Sequence, residues 1–267
     1  MESDDDMYKD KINCKAVLFD YGNTILMDPF NKIVDTRGYE IAKSTIFDNT
    51  FSTQYVYQFL DNWKEANKEL NWTFASHFAQ EEPFIQYALK KSGIPEQTRS
   101  WVAPKILDLY RESLIGKIAD DKKHNSSVYG ALKKLKSKGK TIGVISNDRE
   151  WAPAAAMESM GVFSLFDRYY TSEGLSMKYG EVMEKPGREI FTKVADEMSL
   201  NLEDICYVGD DPLRDIETPK SLGMKAVLFK PAPEYRSSEK WRNYEEKISK
   251  KPDAVIGDLN ELDDIIA

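Results

Sequence analysis

Short apolar runs that alternate with helix-length amphipathic segments constrain this chain more than any other feature. Ala16–Phe19, Thr141–Ile145, Arg168–Thr171, Ile205–Val208, Lys225–Phe229 and Ala254–Ile256 read as buried strands. Between them Val128, Leu132 and Leu135 recur at helical spacing, as do Ile190, Phe191 and Val194. Gly139 is placed to stop the first of these helices, and Pro186 suits the first turn of the second. Strands alternating with helices at this spacing imply βαβ units, and so an α/β fold with a parallel sheet covered on both faces.

Residues 31–116 break the alternation. They hold no convincing strand, only helical periodicity: Val56, Phe59, Leu60 and Trp63 in one segment, Val102, Ile106, Leu109 and Tyr110 in another. Gly93-Ile94-Pro95 interrupts the pattern. The simplest organisation is a core of residues 1–30 and 117–267 with an all-helical domain, 31–116, inserted after the first strand. A chain of 267 residues is long enough to bury both. Tyr235–Lys251, rich in Lys, Arg, Glu and Ser, reads as a solvated surface segment.

Composition excludes several functions. A net charge of −8 argues against a nucleic-acid surface built on net charge. No apolar run approaches the roughly 20 residues a membrane span needs, and Met1–Asp10 is too polar for a signal peptide. Cys14 and Cys206 lie in or beside strand-like runs and read as core thiols in a reducing compartment. A soluble cytoplasmic protein is expected; oligomeric state is left open.

Asp20 ends the first apolar run and opens Asp20-Tyr21-Gly22-Asn23-Thr24. A carboxylate at the C-terminal end of a buried strand sits where open α/β sheets place their chemistry. Ile145-Ser146-Asn147, Lys185-Pro186 and Val208-Gly209-Asp210-Asp211 follow, with Asp215 four places on. Singly, a Ser-Asn after a strand is a helix N-cap, Lys-Pro a helix entrance and Gly-Asp-Asp a turn. Together and in this order they resemble the four motifs of the haloacid dehalogenase (HAD) superfamily, whose members mostly transfer phosphoryl groups through an aspartyl-phosphate. The last strand and helix of that family are similar to Pro252–Ala267 here. The resemblance implies a Rossmann-like core and a helical cap of the C1 type.

It also implies roles. Asp20 would be the nucleophile, since an ionised carboxylate needs no activating base. Ser146 and the backbone N–H of Asn147 would donate to the phosphoryl oxygens, and Lys185 would stabilise the transferring group. Repulsion between carboxylate and phosphate calls for a divalent cation, and Mg²⁺ takes oxygen ligands. Asp20, the backbone carbonyl of Gly22 and Asp210 would hold it. Asp211 and Asp215 would lie behind them, one contacting a metal-bound water or Lys185. Thr24 stands where the family keeps a Thr, which makes Gly22 a true substitution for the family's second Asp.

That Asp protonates the leaving oxygen and then activates water, work typically worth 10²–10⁴-fold. Glycine does neither. The substrate then needs a good leaving group, or another residue supplies the acid; His77, among the aromatics of Asn71–Phe78, is one candidate. Phosphonoacetaldehyde hydrolase resembles this chain in having a small residue there and uses a cap Lys, for which Lys43, Lys64 and Lys68 are the candidates. The 2-haloacid dehalogenases also lack the second Asp but need no metal, which fits the Asp210-Asp211 cluster poorly. The expected function is a Mg²⁺-dependent phosphatase of a small phosphorylated metabolite. The alternatives are a phosphonatase-like C–P hydrolase and a weakly active HAD protein that binds a phosphorylated ligand or a partner.

Overall fold

The computed structural model describes residues 11–27, 30–45, 53–69, 82–148, 150–230 and 249–267. His77 and its neighbouring aromatics, Met1–Asp10 and nearly all of the Tyr235–Lys251 segment lie outside them. Six parallel strands, β1 (Ala16–Phe19), β2 (Thr141–Ser146), β3 (Arg168–Thr171), β4 (Ile205–Gly209), β5 (Lys225–Phe229) and β6 (Ala254–Ile256), form one sheet in the order β3-β2-β1-β4-β5-β6. Each falls on an apolar run of the sequence; β2 and β4 run one residue further than expected, to Ser146 and Gly209.

β1 is buried throughout and lies between β2 and β4, with Phe19 opposite Val144 on one side and Val208 on the other. The chain leaves β1 towards β2 and β3 and returns on the opposite side at β4. That reversal opens a crevice beyond the carboxyl ends of β1 and β4. Because the registers are level, Asp20, Ser146 and Asp210 all emerge at this edge, within two residues of one another along the strands.

Among the described residues four helices form the inserted unit: α1 (Phe30–Lys43), α2 (Thr53–Glu69), α3 (Glu82–Lys91) and α4 (Glu96–Asp120). The chain divides into Met1–Met27 with Lys122–Ala267 and, separately, Asp28–Asp121. The second boundary lies beyond the expected 116/117 because α4 continues unbroken to Asp120. Gly93, with φ of 80°, makes the left-handed turn between α3 and α4. Inside this unit the buried Trp63 stacks on Phe59 at 5.5 Å and meets the edge of Tyr110 at 5.6 Å. Lys43 and Lys64 lie on α1 and α2, as does Lys68 on the last turn of α2.

In the sheet unit, α5 (Lys122–Ser137) buries Val128, Ala131, Leu132 and Leu135, and Gly139 follows it in the left-handed region with φ of 72°. After α6 (Trp151–Ser159) and α7 (Ser172–Tyr179), α8 (Arg188–Met198) buries Ile190, Phe191, Val194 and Ala195 in one cluster with Leu18, Ile205 and Tyr207. Pro186 does not open α8. It lies in a turn, with the Lys185–Pro186 peptide cis, that closes when Gly187 N–H donates to Glu184 O at 2.8 Å. Any Cβ at Gly187 would stand 2.7 Å from that oxygen, so glycine is what lets the turn close this tightly, and the helix starts after it at Arg188.

Trp63→Ala removes the largest side chain of the helical core and is expected to destabilise that unit by about 3–5 kcal/mol. Hydrogen exchange checks this: amides of α2, α3 and α4 lose protection, while those of β1 and β4 keep theirs.

Candidate active site

β1 delivers Asp20 to the carboxyl edge, where its N–H still donates to Val208 O at 2.8 Å and so continues the ladder. The chain then turns back at once. Tyr21 O accepts from Ile25 and Leu26 N–H, both at 2.9 Å, and Asn23 sits in the left-handed region with φ of 57°. Gly22 bridges Leu26 at the neck of this turn. Thr24 is wholly buried there, and its hydroxyl has no partner among the described residues.

Lys185 is the hub. Its Nζ donates to Asp20 Oδ1 at 2.6 Å, to Asp215 Oδ1 at 2.8 Å and to the Tyr207 hydroxyl at 2.8 Å. The side chain is only 2% exposed, against 13% for Asp20. Burial opposes the charge on Lys185, but Asp20 and Asp215 outweigh it and hold the ammonium well above its ordinary pKa.

The backbone of Lys185 is gripped as well. Asn147 Nδ2 donates to Lys185 O at 2.7 Å, and Lys185 N–H donates to Asn147 Oδ1 at 2.8 Å. The Asn147 side chain thus locates Lys185, a role that sequence reasoning did not assign; only its backbone N–H was read as a phosphate donor. Ser146 Oγ donates to Asp148 Oδ2 at 2.8 Å and accepts from Asp148 N–H at 3.1 Å. Asp148 is buried and was also missed.

β4 and the turn after it bring in the acids. Asp211 caps the π-helical turn Pro212–Glu217, its Oδ1 accepting from Leu213 and Arg214 N–H at 3.0 Å. One turn later Asp215 folds back over Gly209, with Oδ2 accepting from Asp211 N–H at 2.8 Å. A Cβ on Gly209 would lie 2.4 Å from the Asp215 carboxyl carbon, so glycine is what lets this carboxylate reach Lys185.

Oxygens of Asp20, Asp210 and Asp215 lie within 4.8 Å of one another. Three carboxylates thus converge while Lys185 offers one positive charge to two of them. Burial first, and then the charges of Asp20, Asp211 and Asp210, push the Asp215 carboxyl up to about 7, although Lys185 pulls the other way. An all-oxygen, electron-rich cluster short of positive charge suits a hard divalent cation. Tyr207 is the remaining group that sequence reasoning missed. Its place in the run Ile205–Val208 marked it as core, yet it shares strand parity with Gly209, the position over which Asp215 folds.

Residues 14–223 match the family model of the haloacid dehalogenase-like hydrolases. The PpaX protein of Clostridium perfringens, assigned as a pyrophosphatase, is 30% identical over 126 residues, 47% of this chain and 56% of that protein. Glyceraldehyde 3-phosphate phosphatase of Methanocaldococcus jannaschii is 30% identical over 135 residues, 51% of this chain and 53% of that enzyme. The chain therefore spans about half the length of the curated relatives it matches. In three dimensions, a HAD phosphatase of Thermococcus onnurineus superimposes with a TM-score of 0.58 at 18% identity, covering 94% of this chain and 97% of that one.

Two outcomes follow from the geometry. Gly209→Ala is expected to displace Asp215 and to destabilise the protein by about 1–3 kcal/mol in urea unfolding. The second concerns pH. A folded carboxyl raised to about 7 stabilises at low pH, and that contribution is lost as pH rises through 7 in the metal-free protein. In urea unfolding with EDTA present, the stability of the protein relative to Asp215→Asn is therefore expected to fall between about pH 4 and about pH 7 and to level off above it.

Proposed function

Because this chain belongs to the haloacid dehalogenase-like hydrolases, we propose that it is a Mg²⁺-dependent phosphatase of a small phosphorylated metabolite, acting through an aspartyl-phosphate on Asp20. One observation carries the reading: a strand-end carboxylate held at 2.6 Å on a buried ammonium, beside Asp210 and Asp215. A site that only bound phosphate would gain nothing from a carboxylate there, since like charges repel.

Asp20 uses its second oxygen, Oδ2, to attack phosphorus, and the bond to the leaving oxygen breaks. Oδ1 meanwhile stays on Lys185, which keeps the nucleophile oriented. Lys185 also sits beside the charge that develops on the phosphoryl oxygens. Ser146 donates to those oxygens once its proton swings away from Asp148, and Asn147 adds its backbone N–H. Mg²⁺, held by Asp20, Asp210 and the Gly22 carbonyl, would neutralise the repulsion between carboxylate and phosphate. Water then cleaves the acyl-phosphate, and inorganic phosphate leaves.

Gly22 shapes the substrate range. With no side-chain acid at that position, an alkoxide departs unprotonated, whereas an acyl phosphate, a phosphoanhydride or an aryl phosphate expels a stabilised anion. We place the helical unit Asp28–Asp121 in the part of the family's C1-type cap, which selects the substrate. No helix among the described residues is long and apolar enough to cross a membrane. The free, buried thiols of Cys14 and Cys206 support a cytoplasmic setting.

A substrate panel with and without Mg²⁺ tests this reading. Acetyl phosphate, pyrophosphate and p-nitrophenyl phosphate are expected to turn over faster than glycerol phosphate, and kcat/KM should fall steeply with leaving-group pKa. Asp20→Asn is expected to leave less than a hundredth of the rate and an unchanged circular dichroism spectrum. Turnover of a 2-haloacid that survives EDTA would replace the phosphatase reading with a dehalogenase, and turnover of phosphonoacetaldehyde alone with a phosphonatase.

A further inference from the structure

The ammonium of Lys185 has three N–H bonds and meets three acceptors, Asp20, Asp215 and Tyr207. Two are carboxylates with an obvious place in the reaction. The third is a neutral phenol on a wholly buried strand, and burying a phenol where a Phe would pack has a desolvation cost. The ring itself is well accounted for: it meets Phe191 edge to face at 5.2 Å. Its hydroxyl is what needs explaining.

That hydroxyl is spent in two directions. It donates to Ile145 O at 3.2 Å and accepts from Lys185 Nζ at 2.8 Å. Ile145 is the residue before Ser146 on β2. Asn147, the residue after Ser146, grips the backbone of Lys185 at both N–H and carbonyl. Both ends of Lys185 are thus referenced to the same three residues of the chain, one end through Asn147 and the other through Tyr207. This ties the ammonium to the strand end that presents Ser146.

We propose that Tyr207 is a positioning residue for the reaction: its phenol oxygen occupies one N–H of Lys185 and thereby aims the other two at Asp20 and Asp215. A lysine side chain has a long, freely rotating stem, and two carboxylates alone leave its ammonium free to pivot. The phenol is the fixed point because it is itself anchored to backbone. Burial raises the Tyr207 phenol well above its ordinary pKa, so it stays protonated and keeps its bond to Ile145 O. The kinetic consequence of the proposal rests on the phosphatase reading; the placement of the ammonium does not.

The experiment separates the two. In uniformly ¹⁵N-labelled wild type, a buried ammonium with three acceptors is expected to give a slowly exchanging lysine correlation, assigned by its loss in Lys185→Met. Tyr207→Phe keeps the ring and is expected to speed that exchange roughly tenfold or more. Because 3-fluorotyrosine at position 207 retains shape and hydroxyl, it should give an intermediate rate even if the Phe variant folds poorly. With p-nitrophenyl phosphate and Mg²⁺, Tyr207→Phe should lower kcat roughly tenfold and leave KM within about twofold. A wild type inert towards phosphate esters whose ammonium still responds would sink the phosphatase reading and leave the positioning role standing. Unchanged exchange in both variants overturns the proposal, whatever the rates do, because Tyr207 would then not act through Lys185.

Discussion

The carboxyl edge of the sheet depends on how one buried positive charge is compensated. Lys185 is almost fully withdrawn from water, and an unpaired ammonium there would destabilise the fold by several kcal/mol. Asp20 and Asp215 remove that penalty and acquire their orientation in return. Most other features of the site serve this contact. Gly209 is bare so that Asp215 can fold over it, Asp211 caps the turn that carries Asp215, and Asn147 fixes the Lys185 backbone. Each of these side chains is held by a neighbour, so the Asp20 carboxylate is held in one orientation by the fold itself.

Charge at the site is deliberately unbalanced. Three carboxylates within 4.8 Å of one another face a single lysine, and burial together with this surplus raises the Asp215 carboxyl to about 7. Such an excess of carboxylate oxygen suits a hard divalent cation. Gly22 works in the opposite direction. It leaves a backbone carbonyl and no side-chain carboxylate at its position, so on the proposed reading the first chemical step proceeds without a side-chain acid from there.

Much of this was legible in the chain, and the reasons are local. Four-residue apolar runs such as Ala16–Phe19 mark strands because they are covered on both faces, and all six were found within a residue of their observed ends. Asp20 and Asp210 could be read as strand-end residues for the same reason. The turn at Pro186 was misread because Lys-Pro suits a helix entrance equally well; the hydrogen bond from Gly187 to Glu184 decides it. Tyr207 and Asp148 were invisible because a buried Tyr in an apolar run and an Asp after Ser-Asn both have commonplace local explanations.

The sequence by itself determined the strands, the helical insertion between β1 and β2, and the residues standing at strand ends, since each follows from periodicity within a few residues. Only the tertiary structure decided which of those residues meet. Lys185 lies 165 positions from Asp20 and 30 from Asp215, and the three touch because parallel registers bring β1 and β4 level at one edge. Spacing along a chain sets backbone geometry nearby, but the partners of a buried charge are set by strand order and register, and these are properties of the folded sheet.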